Sequence, residues 1–304
     1  MTVVIQHIID ALSLGSLYAL ATLGVGLIFG VMRLINFAHG DFMMVGAYAL
    51  IVPSTALIAT PFIAAWPIPL MIVSILALVV ALALLVERLV FRQLRNADAS
   101  TLLIGSFAVS FFLQHLVLIV YGGRPKAVDI LGILNEQIMV AGLRIPKIEI
   151  ATITATIVLL SALALLLHRT RYGLQLRAAS ENFDMARLLG VRANTVIAIA
   201  FGMSGLLAGV VALFLVAQTG VLHYGMGLQP VLFAFVATVI GGMGSLVGAT
   251  IGGFIVGAVS VLLQVVLPLE LRLNRDAFVF ALVILVLLFR PGGLMQGRAS
   301  AGRV

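Results

Sequence analysis

Cysteine is absent from the 304 residues, which excludes disulfides and thiolate metal sites and leaves the redox compartment open. Charge is scarce as well: 10% of the residues are Asp, Glu, Lys or Arg, where a soluble domain carries roughly 25%. No G-x-x-x-x-G-K-S/T run occurs, and GSLVGAT at 244–250 lacks the lysine, so the chain cannot cradle ATP phosphates in a P-loop. H-E-x-x-H and G-x-S-x-G are missing too, as is any His and carboxylate cluster with metal spacing. These absences leave no catalytic residue, metal ligand or cofactor to expect, and the chain is not read as an enzyme. What is present is apolar: 62% hydrophobic residues and a mean hydropathy of +1.24. One core cannot hide that much apolar surface from water, so this is an integral membrane protein. The opening MTVVIQHIIDALSLGSLY has no Lys or Arg ahead of its apolar run. Without the basic start of a signal peptide it is read as a retained first span.

A spanning helix needs ~20 mostly apolar residues. By that measure spans are expected near 8–31, 41–60, 66–90, 101–121, 148–168, 193–217, 229–247, 249–267 and 276–290. The fold class is therefore all-α, a polytopic transmembrane helix bundle of about nine spans forming one transmembrane domain over 1–304. The pair at 229–267 is either a tight hairpin of two spans or one span followed by a re-entrant segment. Arg88, Arg92 and Arg95 share one loop, Arg169, Arg171, Arg177, Arg187 and Arg192 share the loop 169–192, and Arg290, Arg298 and Arg303 mark the tail 291–304. The positive-inside rule puts all three in the cytoplasm. In the loop 122–147 the acids Asp129 and Glu136, with Glu149 just beyond, dilute Arg124, Lys126, Arg144 and Lys147. Alternation places it outside, with the uncharged turn 218–228. The N-terminus then lies outside and the C-terminus inside.

Small residues recur at i, i+4 in Gly26/Gly30, Gly205/Gly209, Gly244/Gly248/Gly252 and Gly253/Gly257, spacing that lets helices approach closely in lipid. IGGMGSLVGATIGG (240–253) is too glycine-dense for packing alone. It marks a broken or sharply turned helix, which membranes tolerate where it lines a cavity or is buried in protein, and brings Gly241, Gly242 and Gly244 to a translocation pathway. Arg33, Asn36, His39 and Asp41 crowd the junction of the first two spans. Asp41 complements a helix start, while Asn36 and His39 are candidates to border the pathway. Gln218 joins them as an uncharged amide at a span end, one of a few with Gln114, Gln229 and Gln264. Glu87 and Arg88 read as a snorkelling pair at the cytoplasmic edge. The lack of an intramembrane acid–base chain argues against a proton-coupled pump.

The one long polar passage between apolar segments is RTRYGLQLRAASENFDMARLLGVR, 169–192. Ser180 is the expected N-cap of a short helix that Gly190 ends, with Glu181 and Asp184 near its positive end and Arg187 near its negative end. Phe183, Ala186 and Leu189 form an apolar ridge too short to hold a helix on lipid and better suited to a protein groove.

Taken together, LGSLYALATLGVGLIFGVMRLINFAHGDFMMVGAY, LRAASENFDMARLLGV, VIGGMGSLVGATIGGFIVG and the tail RPGGLMQGR resemble the permease subunits of branched-chain amino-acid ABC importers, the LivH type. The resemblance implies a multi-pass subunit of the bacterial inner membrane. It also implies partners: two cytoplasmic ATPases, a second homologous permease and a periplasmic substrate-binding protein. It makes 169–192 the segment that seats on the ATPase, with Glu181, Asp184, Ala186, Arg187 and Gly190 as coupling residues. The motif reads E-N-F-D-M-A, so the second position of the family's usual Glu-Ala-Ala is unmatched. The mechanism implied is alternating access driven by ATP on the partners, importing branched-chain or related amino acids. The rival cargo is another small solute such as urea, an amide or an aromatic acid. Two rival classes are an ATP-independent secondary transporter and a structural subunit with no pathway of its own.

Overall fold

The computed structural model describes residues 2–56, 58–95, 97–140, 143–290 and 293–295, with backbone alone for Thr2, Ile133, Val140 and Asp184. Most of the expected tail, with Arg298 and Arg303, lies outside the described residues. The long helices are α1 (Thr2–Met32), α3 (Ile68–Val86), α4 (Ala99–Tyr121), α6 (Lys147–Arg169), α9 (Ala193–Thr219) and α11 (Leu246–Val266). Among the described residues these six are long and apolar enough to cross a membrane. Three shorter apolar helices accompany them: α2 (Ala38–Tyr48), α10 (Leu228–Gly241) and α12 (Arg275–Phe289). The rest are the one-turn α5 (Gly132–Asn135), the polar pair α7 (Arg171–Glu181) and α8 (Phe183–Leu188), and the short strands β1 (Lys126–Ala127), β2 (Gln137–Val140), β3 (Leu143–Pro146) and β4 (Val221–Leu222).

α1 is the axis of the bundle. It is apolar on every side, which suits a helix surrounded by others. Every residue from Gly15 to Ile28 is buried, with α6, α9, α10 and α11 packed around it. The closest seam is with α11, where Gly253 and Gly257 lie against Ala19 and Gly15 of α1; a β-carbon on Gly253 would stand 2.5 Å from the Ala19 Cα. In lipid no hydrophobic effect draws helices together, so such backbone-to-backbone packing carries the association. On the outer helices the apolar residues point outward: Val73 and Leu85 on α3, Phe111 and Ile119 on α4, and Leu165 on α6 are exposed, as a lipid-facing surface requires.

Two elements differ from their expected form, and the glycine-rich run takes one of the two forms expected of it. The segment 41–60 is a half-length helix, not a full span: α2 ends at Tyr48, and an extended stretch closed by the Ile51–Pro61 bridge follows. Pro53 and Pro61 explain this, since proline removes a donor and biases the residue before it away from helix. The glycine-rich run forms a hairpin. α10 stops at Gly241, Gly242 (φ 108°) and Gly244 (φ 94°) make the turn in conformations that disfavour any side chain, and α11 then runs unbroken. At the end of α3 the helix widens into a π-turn, Glu87–Phe91. It carries Arg92 round to Glu87, where two bonds of 3.2 Å form; Glu87 thus pairs with Arg92 and not Arg88.

The connections gather at two ends. At the upper end, that of the N-terminus, β1 pairs with β4, and the buried Lys126 ammonium donates to the carbonyls of Ser54 and Ala56. At the lower end Arg95 donates to Asn194 at 2.6 Å, and the backbone of Leu294 and Met295 donates to Ile240 and Gly241.

Candidate functional site

Two separate cavities lie beside α1 between α6 and α11, one toward each end of the helix. The upper cavity, about 670 Å³, is lined by Asp10 and Leu14 of α1, Glu149 of α6, Gln218 at the end of α9, Gln264 of α11, and Arg272. The lower cavity, about 460 Å³, is lined by Leu23, Gly26 and Gly30 of α1, Leu160, Leu163 and Leu167 of α6, Ser180 of α7, and Gly244 and Val247. Polar groups hold the upper cavity; the lower is mostly aliphatic. Between them α1 and α11 close on each other at the glycine seam. On α6 the residues between the two cavities include Thr152 and Thr156, both buried. The Thr152 hydroxyl donates back to Ile148 at 2.7 Å, and the Thr156 hydroxyl has no partner among the described residues. The two cavities thus differ in chemistry, polar above and aliphatic below, with a closed helix seam and two buried hydroxyls between them.

The floor of the lower cavity is the polar segment 169–192. It forms two helices where one was expected. Thr170 caps α7, its hydroxyl accepting from the Gly173 backbone at 3.0 Å. Ser180 is not an N-cap: it sits inside α7, its hydroxyl donating to Arg177 at 2.8 Å. Asn182 takes the cap instead, because its extended backbone (φ −150°, ψ 104°) lets its amide oxygen accept from Met185 at 3.0 Å. Gly190 (φ 89°) ends α8, and the Val191 amide reaches back to the Ala186 carbonyl at 3.0 Å. The ridge divides as well. Phe183 and Ala186 pack inward, while Met185, Leu188 and Leu189 are exposed, the last two at 82% and 85%. Glu181 ends α7 and is exposed, as is Arg187; the Asp184 side chain lies outside the described residues. α7 is fastened to the α1–α2 junction by Arg33, whose guanidinium donates to the Ser180 carbonyl at 3.2 Å. Arg33 holds a left-handed backbone (φ 54°), a conformation that costs a side-chain-bearing residue about 1 kcal/mol.

The pathway candidates separate. Gln218 lines the upper cavity and Gly244 the lower. Gly241 and Gly242 belong to the α10–α11 turn, where Gly241 abuts the Gly248 carbonyl. Asn36 and His39 are fully buried at the start of α2 and line neither cavity. Asn36 accepts from the Ala38 amide at 3.1 Å, and His39 shares a 2.9 Å bond with Ser204 of α9 while its ring lies on Gly24 of α1. Asp41 makes no cap; its carboxylate accepts from Gln114 of α4 at 2.9 Å beside a separate cavity of about 580 Å³ between α2, α4 and α10. Missed from the sequence as site residues were Asp10, Glu149 and Arg272. An ionisable residue inside or at the edge of an apolar run was the available signal for the two acids.

Six helices long and apolar enough to cross a membrane, packed around two cavities, define a multi-pass membrane protein. The family described as the permease component of the branched-chain amino acid transport system matches residues 7–287, and the chain belongs to that family. It is 33% identical over 308 residues to the high-affinity branched-chain amino acid transport system permease protein BraD of Pseudomonas aeruginosa, covering 99% of this chain and 98% of that one. To the LivH permease protein of the corresponding system in Escherichia coli it is 33% identical over 306 residues, covering 99% and 97%. A shorter stretch, 46% of this chain and 40% of the relative, is 32% identical to the autoinducer 2 import system permease protein LsrC of Yersinia pestis. No solved structure matches it.

Proposed function

We propose that this chain is the membrane subunit of an ATP-binding-cassette importer that moves branched-chain amino acids into the cytoplasm by alternating access. The paired cavities carry this reading: one lies toward each end of α1, with a waist of small residues between them, and together they make the two ends of a single proposed groove. In the outward-facing state the waist opens to the upper cavity, and in the inward-facing state to the lower one. Gln218 and Gly244 line the track, Gly241 and Gly242 set the α10–α11 turn at its lower end, and Asn36 and His39 fix the half-length α2 against α1 and α9. The rest of the machine lies on other chains. Two ATPases dock below, a second permease completes the pathway, and a binding protein delivers cargo above.

Orientation follows from charge. The lower end carries ten arginines (Arg33, Arg88, Arg92, Arg95, Arg169, Arg171, Arg177, Arg187, Arg192, Arg290) against four acids (Glu87, Asp98, Glu181, Asp184). The upper end carries six bases (Arg124, Lys126, Arg144, Lys147, Arg272, Arg275) and six acids (Asp10, Asp129, Glu136, Glu149, Glu270, Asp276). The positive-inside rule makes the lower end cytoplasmic and the N-terminus external in a bacterial inner membrane. Nine crossings then result, three of them by the short helices α2, α10 and α12. At 1.5 Å per residue these reach about 16–23 Å of the ~30 Å hydrocarbon, so their extended flanks complete the crossing inside protein.

α8 is the point where force enters. Met185, Leu188 and Leu189 offer the ATPase an apolar face, Glu181 and Arg187 frame it with charge, Ala186 seats it on the bundle, and Gly190 ends it. Replacing Met185, Leu188 and Leu189 together by serine is expected to abolish co-purification of the ATPases and ATP-driven uptake while leaving the permease monodisperse. Full co-purification with normal uptake would overturn the coupling role.

A further inference from the structure

The upper cavity holds two unpaired charges of opposite sign. Glu149 enters it from the first turn of α6, and its Oε2 is buried with no hydrogen-bond partner among the described residues. Arg272 enters from the turn before α12, where its Nε donates to the Leu267 carbonyl at 3.1 Å. Neither residue makes an ion pair among the described residues, with each other or with a third group. Two further polar groups at the cavity are engaged. Asp10 accepts from Gln6 at 3.1 Å and faces His7, and Gln264 accepts from Arg275 at 3.3 Å. A carboxylate and a guanidinium that share one cavity without meeting are complementary to a ligand that carries both charges itself.

We infer that this cavity is a subsite for the zwitterionic head of an α-amino acid, with Glu149 receiving the α-ammonium and Arg272 the α-carboxylate. A guanidinium suits a carboxylate because its fork of donors matches the two oxygens. Leu14 and the apolar face of α11 at the same cavity accept an aliphatic side chain. The track below is poor in charge, so the head group is read at the mouth, before the waist. This assignment rests on the importer reading and sharpens it. Selectivity for the head group then belongs to the permease as well as to the binding protein.

The test uses the assembled complex of permeases and ATPases in proteoliposomes. The chain has no cysteine, so Val265→Cys at the cavity wall provides a single site for a membrane-impermeant maleimide. Protection of that cysteine is measured with leucine, with leucinamide, which lacks the carboxylate, and with 4-methylpentanoate, which lacks the ammonium. Leucine is expected to protect at concentrations at least about tenfold lower than either analogue, as the loss of a charge-assisted bond requires. Glu149→Gln should erase the advantage over 4-methylpentanoate alone, and Arg272→Gln the advantage over leucinamide alone. Co-purification of the ATPases with each variant checks that the complex is assembled. Equal protection by all three compounds, no protection by any of them, or preferences unchanged in both variants would overturn the subsite. Binding-protein-dependent leucine uptake by the unmodified complex is measured in parallel. Uptake without selective protection rejects the subsite alone, whereas absent ATP-driven uptake rejects the importer reading itself.

Discussion

At Gly253 a single hydrogen stands between α11 and the backbone of α1. A leucine there would drive its β-carbon to within 2.5 Å of the Ala19 Cα, against main chain that cannot yield. Overpacking of this kind costs about 1–3 kcal/mol, so Gly253→Leu is expected to lower the thermal midpoint in detergent by several degrees or prevent recovery of folded protein. Gly244 is the contrast. Nothing lies within 4 Å of its would-be β-carbon, and only its positive φ resists substitution. Gly244→Ala should cost about 1 kcal/mol, by backbone strain alone, and stay folded. An unchanged midpoint for Gly253→Leu would refute the seam. The spacing of these glycines was legible in the sequence, because i, i+4 small residues have one main use in lipid. Which helix each one meets was not, since the partner is chosen by the whole packing. The unpaired Glu149 and Arg272 were hidden for the same reason: far apart in sequence, they share a cavity only after folding.

Among the elements, the polar segment keeps its expected helix stop but not its expected cap. Its composition marked it as a docking helix with a glycine stop, and Gly190 ends α8 as expected. The serine chosen as cap lies inside α7 because the break between the helices falls two residues later, at Asn182, whose extended backbone no local signal announced. That shift also rotates the ridge, turning Phe183 and Ala186 inward and Met185, Leu188 and Leu189 outward. α2 teaches the converse. The run 41–60 is apolar enough for a span, and Pro53 with Pro61 was the legible sign that its helix would stop short. Arg33 links these elements, tying α7 to the end of α1 at the Ser180 carbonyl. Arg33→Ala should leave the ATPases bound but lower the amino acid carried per ATP hydrolysed by roughly threefold or more, the scale of a coupling contact. Unchanged stoichiometry, measured as uptake against phosphate release, would remove Arg33 from the transmission.

For the whole molecule, the paired cavities and the charge asymmetry fit one proposed design, in which the basic end faces the ATPases and the polar cavity faces the side where a binding protein delivers cargo. Alternation of loops along the sequence anticipated which connections share an end, and the β1–β4 pair and the Arg95–Asn194 bond join connections placed on the same side. The proposed groove was beyond sequence reasoning, because its walls come from α1, α6 and α11 and its closure from their fit. The most direct measurement follows from the missing cysteine. Single cysteines at Val265 in the upper cavity and Val247 in the lower are labelled with an impermeant maleimide in right-side-out and inside-out vesicles, with and without nucleotide trapping. The expected result is that Val265→Cys reacts only from outside and Val247→Cys only from inside, with trapping changing the two reactivities in opposite directions. Labelling of both from the same side, or reactivity indifferent to nucleotide, would contradict alternating access along this groove.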